Sequence, residues 1–190
     1  MTRPHPPAIS TDNLLEGSPT GFLQTNLPRF FAATDLVASL TTQVLSSVAI
    51  PLQAGDTVTS LTFLSGATAV VTPTNWWFAL YSSAATPALL AQTADQLTAA
   101  WAADTTKTLA LATAQVIPTT GVYYAAIMVK ATTVPTLMGL SVGRAAIAGN
   151  VGTLGYKVIS QTSGAALTTT APATIATPTT VATVPWVALS

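Results

Sequence analysis

The chain has no cysteine and a single histidine, His5. Without cysteine there is no disulfide and no thiolate metal ligand. The one histidine sits inside Pro4-His5-Pro6-Pro7, so neither a histidine triad nor a histidine-rich metal site can be built within a core. Charge is also scarce. Six basic and six acidic residues make up 6% of the 190, against about 25% in ordinary domains. The two signs cancel, leaving no electrostatic footprint for nucleic acid or for an anionic membrane surface. Long apolar runs are missing as well. A spanning helix needs about 18 or more apolar residues, and the best run, Val122–Val129, stops at Lys130. The first residues, Met1-Thr2-Arg3 and then prolines, do not have the pattern of a secretory signal.

Few groups are left for catalysis. Of the six acids, a pair among Asp56, Asp95 and Asp104 is what a two-carboxylate mechanism would draw on. Asp56 has the commoner explanation of a Gly-Asp turn, and Asp104 lies three residues before Lys107, as a local ion pair or a turn cap would. Gly149-Asn150-Val151-Gly152 lacks the Gly-Lys-Ser/Thr ending of a phosphate loop, and no acids cluster as a calcium site requires. The expectation is a non-enzymatic protein with no catalytic residue, no cofactor and no metal.

What is present is apolar and hydroxyl-bearing. Hydrophobic residues reach 49% of the chain, and threonine and alanine recur throughout. A chain of this length suits one large all-β domain with an arm, and a domain near this size hides roughly 70% of its unfolded surface. A neutral, threonine-covered surface suits a life inside an assembly better than one as a free monomer, where net charge aids solubility.

Read in order, residues 1–33 carry no sustained period. Pro4, Pro6, Pro7, Pro19 and Pro28 forbid a continuous helix, and Phe22, Leu23, Leu27, Phe30 and Phe31 are scattered apolar anchors. This is either a loosely packed leader or an arm that docks its aromatics on a neighbouring subunit, with Phe22, Leu27, Arg29, Phe30 and Phe31 as the contact residues. A short helix is expected over 34–40, which ends a 1–40 arm. Strands are expected over 43–50 (closed by Pro51), 57–64, 75–81, 88–92, 105–112, 122–130, 136–142, 156–160 and 184–189. Between them, 93–103 matches a capping box (Thr93, Gln96), with Leu97 and Trp101 four apart, and so reads as a helix. Residues 143–155 read as a glycine-bearing flexible loop, and 161–183 as a Thr/Ala/Pro-rich surface loop. Short strands with regular turn signals describe an all-β fold, an antiparallel β-sandwich (jelly-roll-like), over 41–190.

Aromatic residues concentrate in Asn75-Trp76-Trp77-Phe78-Ala79-Leu80-Tyr81. In a strand, Trp76, Phe78 and Leu80 share one face, and Trp77, Ala79 and Tyr81 the other. One face must line the core. The other is buried within the protomer, covered by a partner through Trp76, or free for Trp76 and Trp77 to stack on sugar rings.

Four segments together resemble a known module. They are Ile50-Pro51-Leu52-Gln53-Ala54-Gly55-Asp56-Thr57-Val58, Thr72-Pro73-Thr74-Asn75-Trp76-Trp77-Phe78-Ala79-Leu80-Tyr81, Ala100-Trp101-Ala102-Ala103 and Tyr123-Tyr124-Ala125-Ala126-Ile127-Met128-Val129. As a set they are similar to a β-sandwich found in virion structural proteins of tailed phages that infect actinobacteria. Pro28-Arg29-Phe30-Phe31 also resembles how such proteins begin, whereas the longer leader 1–27 departs from them. The resemblance implies a capsid decoration protein or head fibre, with the major capsid protein as partner and a homotrimer as the oligomer. A minor tail protein that binds host glycan is the alternative it leaves open. Location on the virion surface follows from either, with no nucleic acid or membrane partner. The resemblance also implies that 93–103 is a loop rather than the helix of its pattern.

Overall fold

The computed structural model describes residues 22–37, 40–149 and 156–190. The remainder of the expected arm and part of the glycine-bearing stretch lie outside the described residues. Within them the fold is an antiparallel β-sandwich. One sheet has the order β1 (Gln24–Thr25), β13 (Val187–Leu189), β4 (Thr57–Leu64), β7 (Thr106–Val116). The other runs β11 (Thr179–Thr180), β10 (Ser160–Ser163), β3 (Leu45–Leu52), β8 (Gly121–Thr133), β5 (Val71–Tyr81), β6 (Leu89–Gln92). A small third sheet joins β12 (Thr183–Pro185), β9 (Leu137–Ser141) and β2 (Thr34–Leu36). A bridge between Thr93 and Leu111 ties the two large sheets along one edge.

The strand at the centre of the larger sheet is the most apolar in the chain. β8 pairs with β3 on one edge and β5 on the other, and both its faces are covered by packed side chains. Tyr123, Ala125, Ile127 and Val129 enter the core between the sheets with Val48, Ile50, Trp76, Phe78, Leu61 and Phe63. Tyr124, Ala126 and Met128 point the other way, into a second core with Leu45, Trp77, Ala79 and Tyr81. This two-faced burial is why β5 and β8 read as near-continuous apolar runs.

The second core is closed by the chain itself. Leu167, Ala171 and Ile175 lie over the outer face of the larger sheet, and polar tips on that face reach the covering backbone. Trp77 Nε1 donates to the Thr168 carbonyl at 2.6 Å and Tyr81 Oη to the Pro172 carbonyl at 2.9 Å. Gln92 donates to the Thr169 carbonyl at 2.8 Å and accepts from the Ala171 N–H at 2.6 Å. The surface loop expected over 161–183 is therefore corrected. The stretch begins in β10, ends in β11, and between them forms a cover held by its own carbonyls. On the four-stranded sheet the N-terminal segment covers only the region around β13, and the outward residues of β7 stay exposed. Ala32 and Leu27 pack with Trp186 and Ala188, and Trp186 Nε1 donates to the Leu27 carbonyl at 3.1 Å.

Five other expectations change. Thr34–Leu36 is a strand, paired with Leu137–Gly139, and not the start of a helix. Gly139 lies between β2 and β12, and a Cβ there would press on the Val184 carbonyl and the Leu36 side chain, so only glycine lets the three strands close. Pro51 does not end β3, which runs to Leu52. β10 pairs only with Leu45–Val48, so Pro51 stands on a stretch with a free edge and needs no N–H there. β5 starts at Val71, ahead of Pro73, and absorbs the proline at a bulge before Asn75. The strand expected over 156–160 begins only at Ser160, and Ala145–Ala148 forms one helical turn inside the glycine-bearing stretch.

Candidate interaction surface

Of the three readings open for the Trp76–Trp77 pair, a partner contact through Trp76 and sugar stacking by both need an exposed ring, and burial within the chain does not. Neither ring reaches solvent: Trp76 is 1% exposed and Trp77 0%. Trp76 stacks on Trp101 with ring centroids 5.4 Å apart, and its Nε1 donates to the Ala99 carbonyl at 3.0 Å. Trp77 lies beneath the 167–175 cover. Both readings are corrected by the same fact, that the protein's own chain covers both faces of β5.

The loop reading of 93–103 holds, against its helical pattern. The Thr93 hydroxyl, which a capping box would spend on its own helix, accepts from the Phe78 N–H at 3.0 Å. Asp95 accepts from the Trp76 N–H at 3.0 Å, the Leu97 N–H at 3.1 Å and the Asn75 amide at 2.6 Å. Leu97 takes a φ of 52°, which breaks any helix. The loop lays Trp101 on the core, where its Nε1 donates to the Thr105 carbonyl at 3.1 Å. Asp56 accepts from the Gln53 N–H at 2.8 Å, the turn role expected of it, and Asp104 sits in a turn with φ 52°. Among the described residues no three His, Cys, Asp or Glu side chains gather as a metal site would require.

The N-terminal anchors divide into two groups. Leu27 packs inward, and Phe22 meets Trp186 edge-on at 6.1 Å, both on the same protomer. Asn26 fastens this segment by donating to the Pro185 carbonyl and accepting from the Val187 N–H. Phe30 and Phe31 form a pair 4.1 Å apart in a single 3-10 turn and stay 51% and 45% exposed, with Arg29 beside them. Of the eleven large hydrophobics exposed among the described residues, five fall within residues 22–37: Phe22, Leu23, Phe30, Phe31 and Val37. Phe30 and Phe31 are the two of these in direct ring contact with each other, in the turn that follows the segment fastened by Asn26.

The end of the cover borders a cleft of about 370 Å³, between the Ala84–Pro87 loop and the Ile175–Pro178 stretch. Tyr124 and Gln161 line it, with Tyr156 and Lys157. Burial raises the phenol pKa values of Tyr81 and Tyr124, so both stay protonated in neutral solution. Sequence reading did not single out this cleft, because Tyr124 and Gln161 stand 37 positions apart and meet only across β3.

Comparison with family models and with curated proteins finds no match to this chain.

Proposed function

We propose that the protein is a non-enzymatic structural component of a phage particle, a decoration (minor capsid) protein seated on the outer surface of the head. The observation that carries this reading is the exposed patch around Phe30 and Phe31. Aromatic side chains dominate the cores of protein interfaces, and here two stand outward on a segment already fastened to the sandwich. The low charge of the chain and the four segments that resemble phage virion modules support the same reading. The partner is then the major capsid protein. On a symmetric lattice the copies assemble about local axes, and a homotrimer is the proposed unit.

The patch is tested by replacing Phe30 and Phe31 together with serine. Both rings are about half exposed, so folding stability should move by no more than roughly 1 kcal/mol. Co-sedimentation with particles assembled from the cognate major capsid protein should show binding weakened on the order of a hundredfold, as loss of two interface anchors implies. A folded double variant that sediments with particles as the parent does contradicts the proposal. The second reading, a minor tail protein, rests on the cleft and differs in copy number: a few per particle rather than a lattice-wide set.

A further inference from the structure

We propose that the cleft between the Ala84–Pro87 loop and the Ile175–Pro178 stretch binds a neutral saccharide. Tyr156 is the stacking platform, and Tyr124 and Gln161 form the hydrogen-bonding floor. Tyr124 lies opposite Ala49 on β8, and Gln161 lies opposite Ser47 on β10, so both point from the same face of the larger sheet. Each is only 3% exposed. Among the described residues, neither the Tyr124 hydroxyl nor the Gln161 side-chain amide has a hydrogen-bond partner, yet neither is sealed from the cleft.

Their neighbours show that this is a local property. On the same face Trp77 and Tyr81 give their protons to carbonyls of the 167–175 cover. The cover takes up the Trp77 and Tyr81 protons, whereas Tyr124 and Gln161 line the cleft beside it. Both residues line the cleft, so water or a ligand there can complete their hydrogen bonds.

The chemistry of the lining selects the ligand. Lys157 is its one charged side chain, and its ammonium is already held by the Ser83 and Ala84 carbonyls at 3.1 and 3.3 Å. Among the described residues no carboxylate lines the cleft to receive a cation. A glutamine amide presents a donor and an acceptor side by side, and a buried phenol presents a donor. That set matches the hydroxyls of a sugar, each of which both donates and accepts. Tyr156, 65% exposed at the rim, offers an aromatic face to the apolar side of a sugar ring. The volume lies at the small end of ligand pockets, roughly 300–1,000 Å³, and so suits a mono- or disaccharide.

The test uses the full chain in saturation-transfer NMR and calorimetry. Its probes are methyl glycosides of glucose, galactose, mannose and N-acetylglucosamine, with a sulfated monosaccharide and a proline-rich peptide as contrasts. At least one neutral glycoside should bind. Tyr156→Ala and Tyr124→Phe should each weaken that binding about tenfold. Both leave the core in place, since one removes an exposed ring and the other a single hydroxyl. The proposal is overturned if no neutral glycoside binds, if only the sulfated sugar or the peptide binds, or if sugar binding is indifferent to both substitutions. Because the purified protein suffices, failure here leaves the particle proposal standing.

Discussion

Replacing Trp77 with alanine is expected to lower the unfolding free energy by about 3–5 kcal/mol, the range for deleting a buried large aromatic. The ring is fully enclosed, in a core with Leu45, Tyr124, Met128, Ala171 and Ile175. Its Nε1–H donates to the Thr168 carbonyl of the 167–175 cover at 2.6 Å. Domains of this kind are stable by roughly 5–15 kcal/mol, so the loss is a large share of the total. It also has a location. The cover has few large side chains; Trp77, Tyr81 and Gln92 hold its middle, and hydrogen bonds with Gln43, Pro87 and Leu89 hold its ends, so the variant should admit protease within the cover before the sandwich unfolds. Urea denaturation with limited proteolysis reads both effects. Trp77→Phe keeps the ring and forfeits the hydrogen bond, and should cost only about 1–2 kcal/mol. Resistance of the Trp77→Ala cover to cleavage, at parental stability, would show that the segment is fastened by something else.

Trp76→Ala should be as costly, about 3–5 kcal/mol, but without the local opening. Trp76 lies between the sheets, stacked on Trp101 and 6.0 Å from Phe78. Its removal also strands the Ala99 carbonyl, which lies in the loop that carries Trp101. The expected result is a lower urea midpoint with one cooperative transition and an unchanged order of protease cutting. A cycle with Trp101→Ala should return a coupling of roughly 0.5–3 kcal/mol, as for residues in direct contact. Full additivity of the two losses would mean that the stack contributes nothing beyond area. The two adjacent tryptophans thus separate by face, one tying sheet to sheet and the other tying sheet to cover.

That separation was legible in part. Period 2 along Asn75–Tyr81 told which residues of β5 share a face, and the unbroken apolar run Val122–Val129 marked β8 as a central strand, because both are local properties of the sequence. The cover was not legible. Residues 164–178 have no period and only small side chains apart from Leu167 and Ile175, and they act through backbone carbonyls, which sequence does not distinguish. The helix expected over 34–40 fails because Thr34–Leu36 pairs with a strand about a hundred residues away, and tertiary pairing overrides a weak local preference. The capping box at Thr93 and Gln96 fails because the hydroxyl has a better acceptor role toward β5.

For the candidate site the same division applies. Exposed apolar residues in the N-terminal segment were readable as anchors, and their split into inward Leu27 and outward Phe30 and Phe31 required the structure. Trp76 and Trp77 drew attention because they are large and adjacent, but large aromatics are foremost core residues. The Tyr124–Gln161 floor is a product of strand order, which places β10 beside β3 and β3 beside β8.

One measurement bears most directly on the central claim: an image of the assembled particle at a resolution that places side chains. The account predicts the sandwich at repeated positions on the outside of the head, with Phe30 and Phe31 buried against the capsid lattice and the Tyr124–Gln161 cleft facing outward. A particle without the protein, or one that holds it by another face with Phe30 and Phe31 in solvent, would contradict the account.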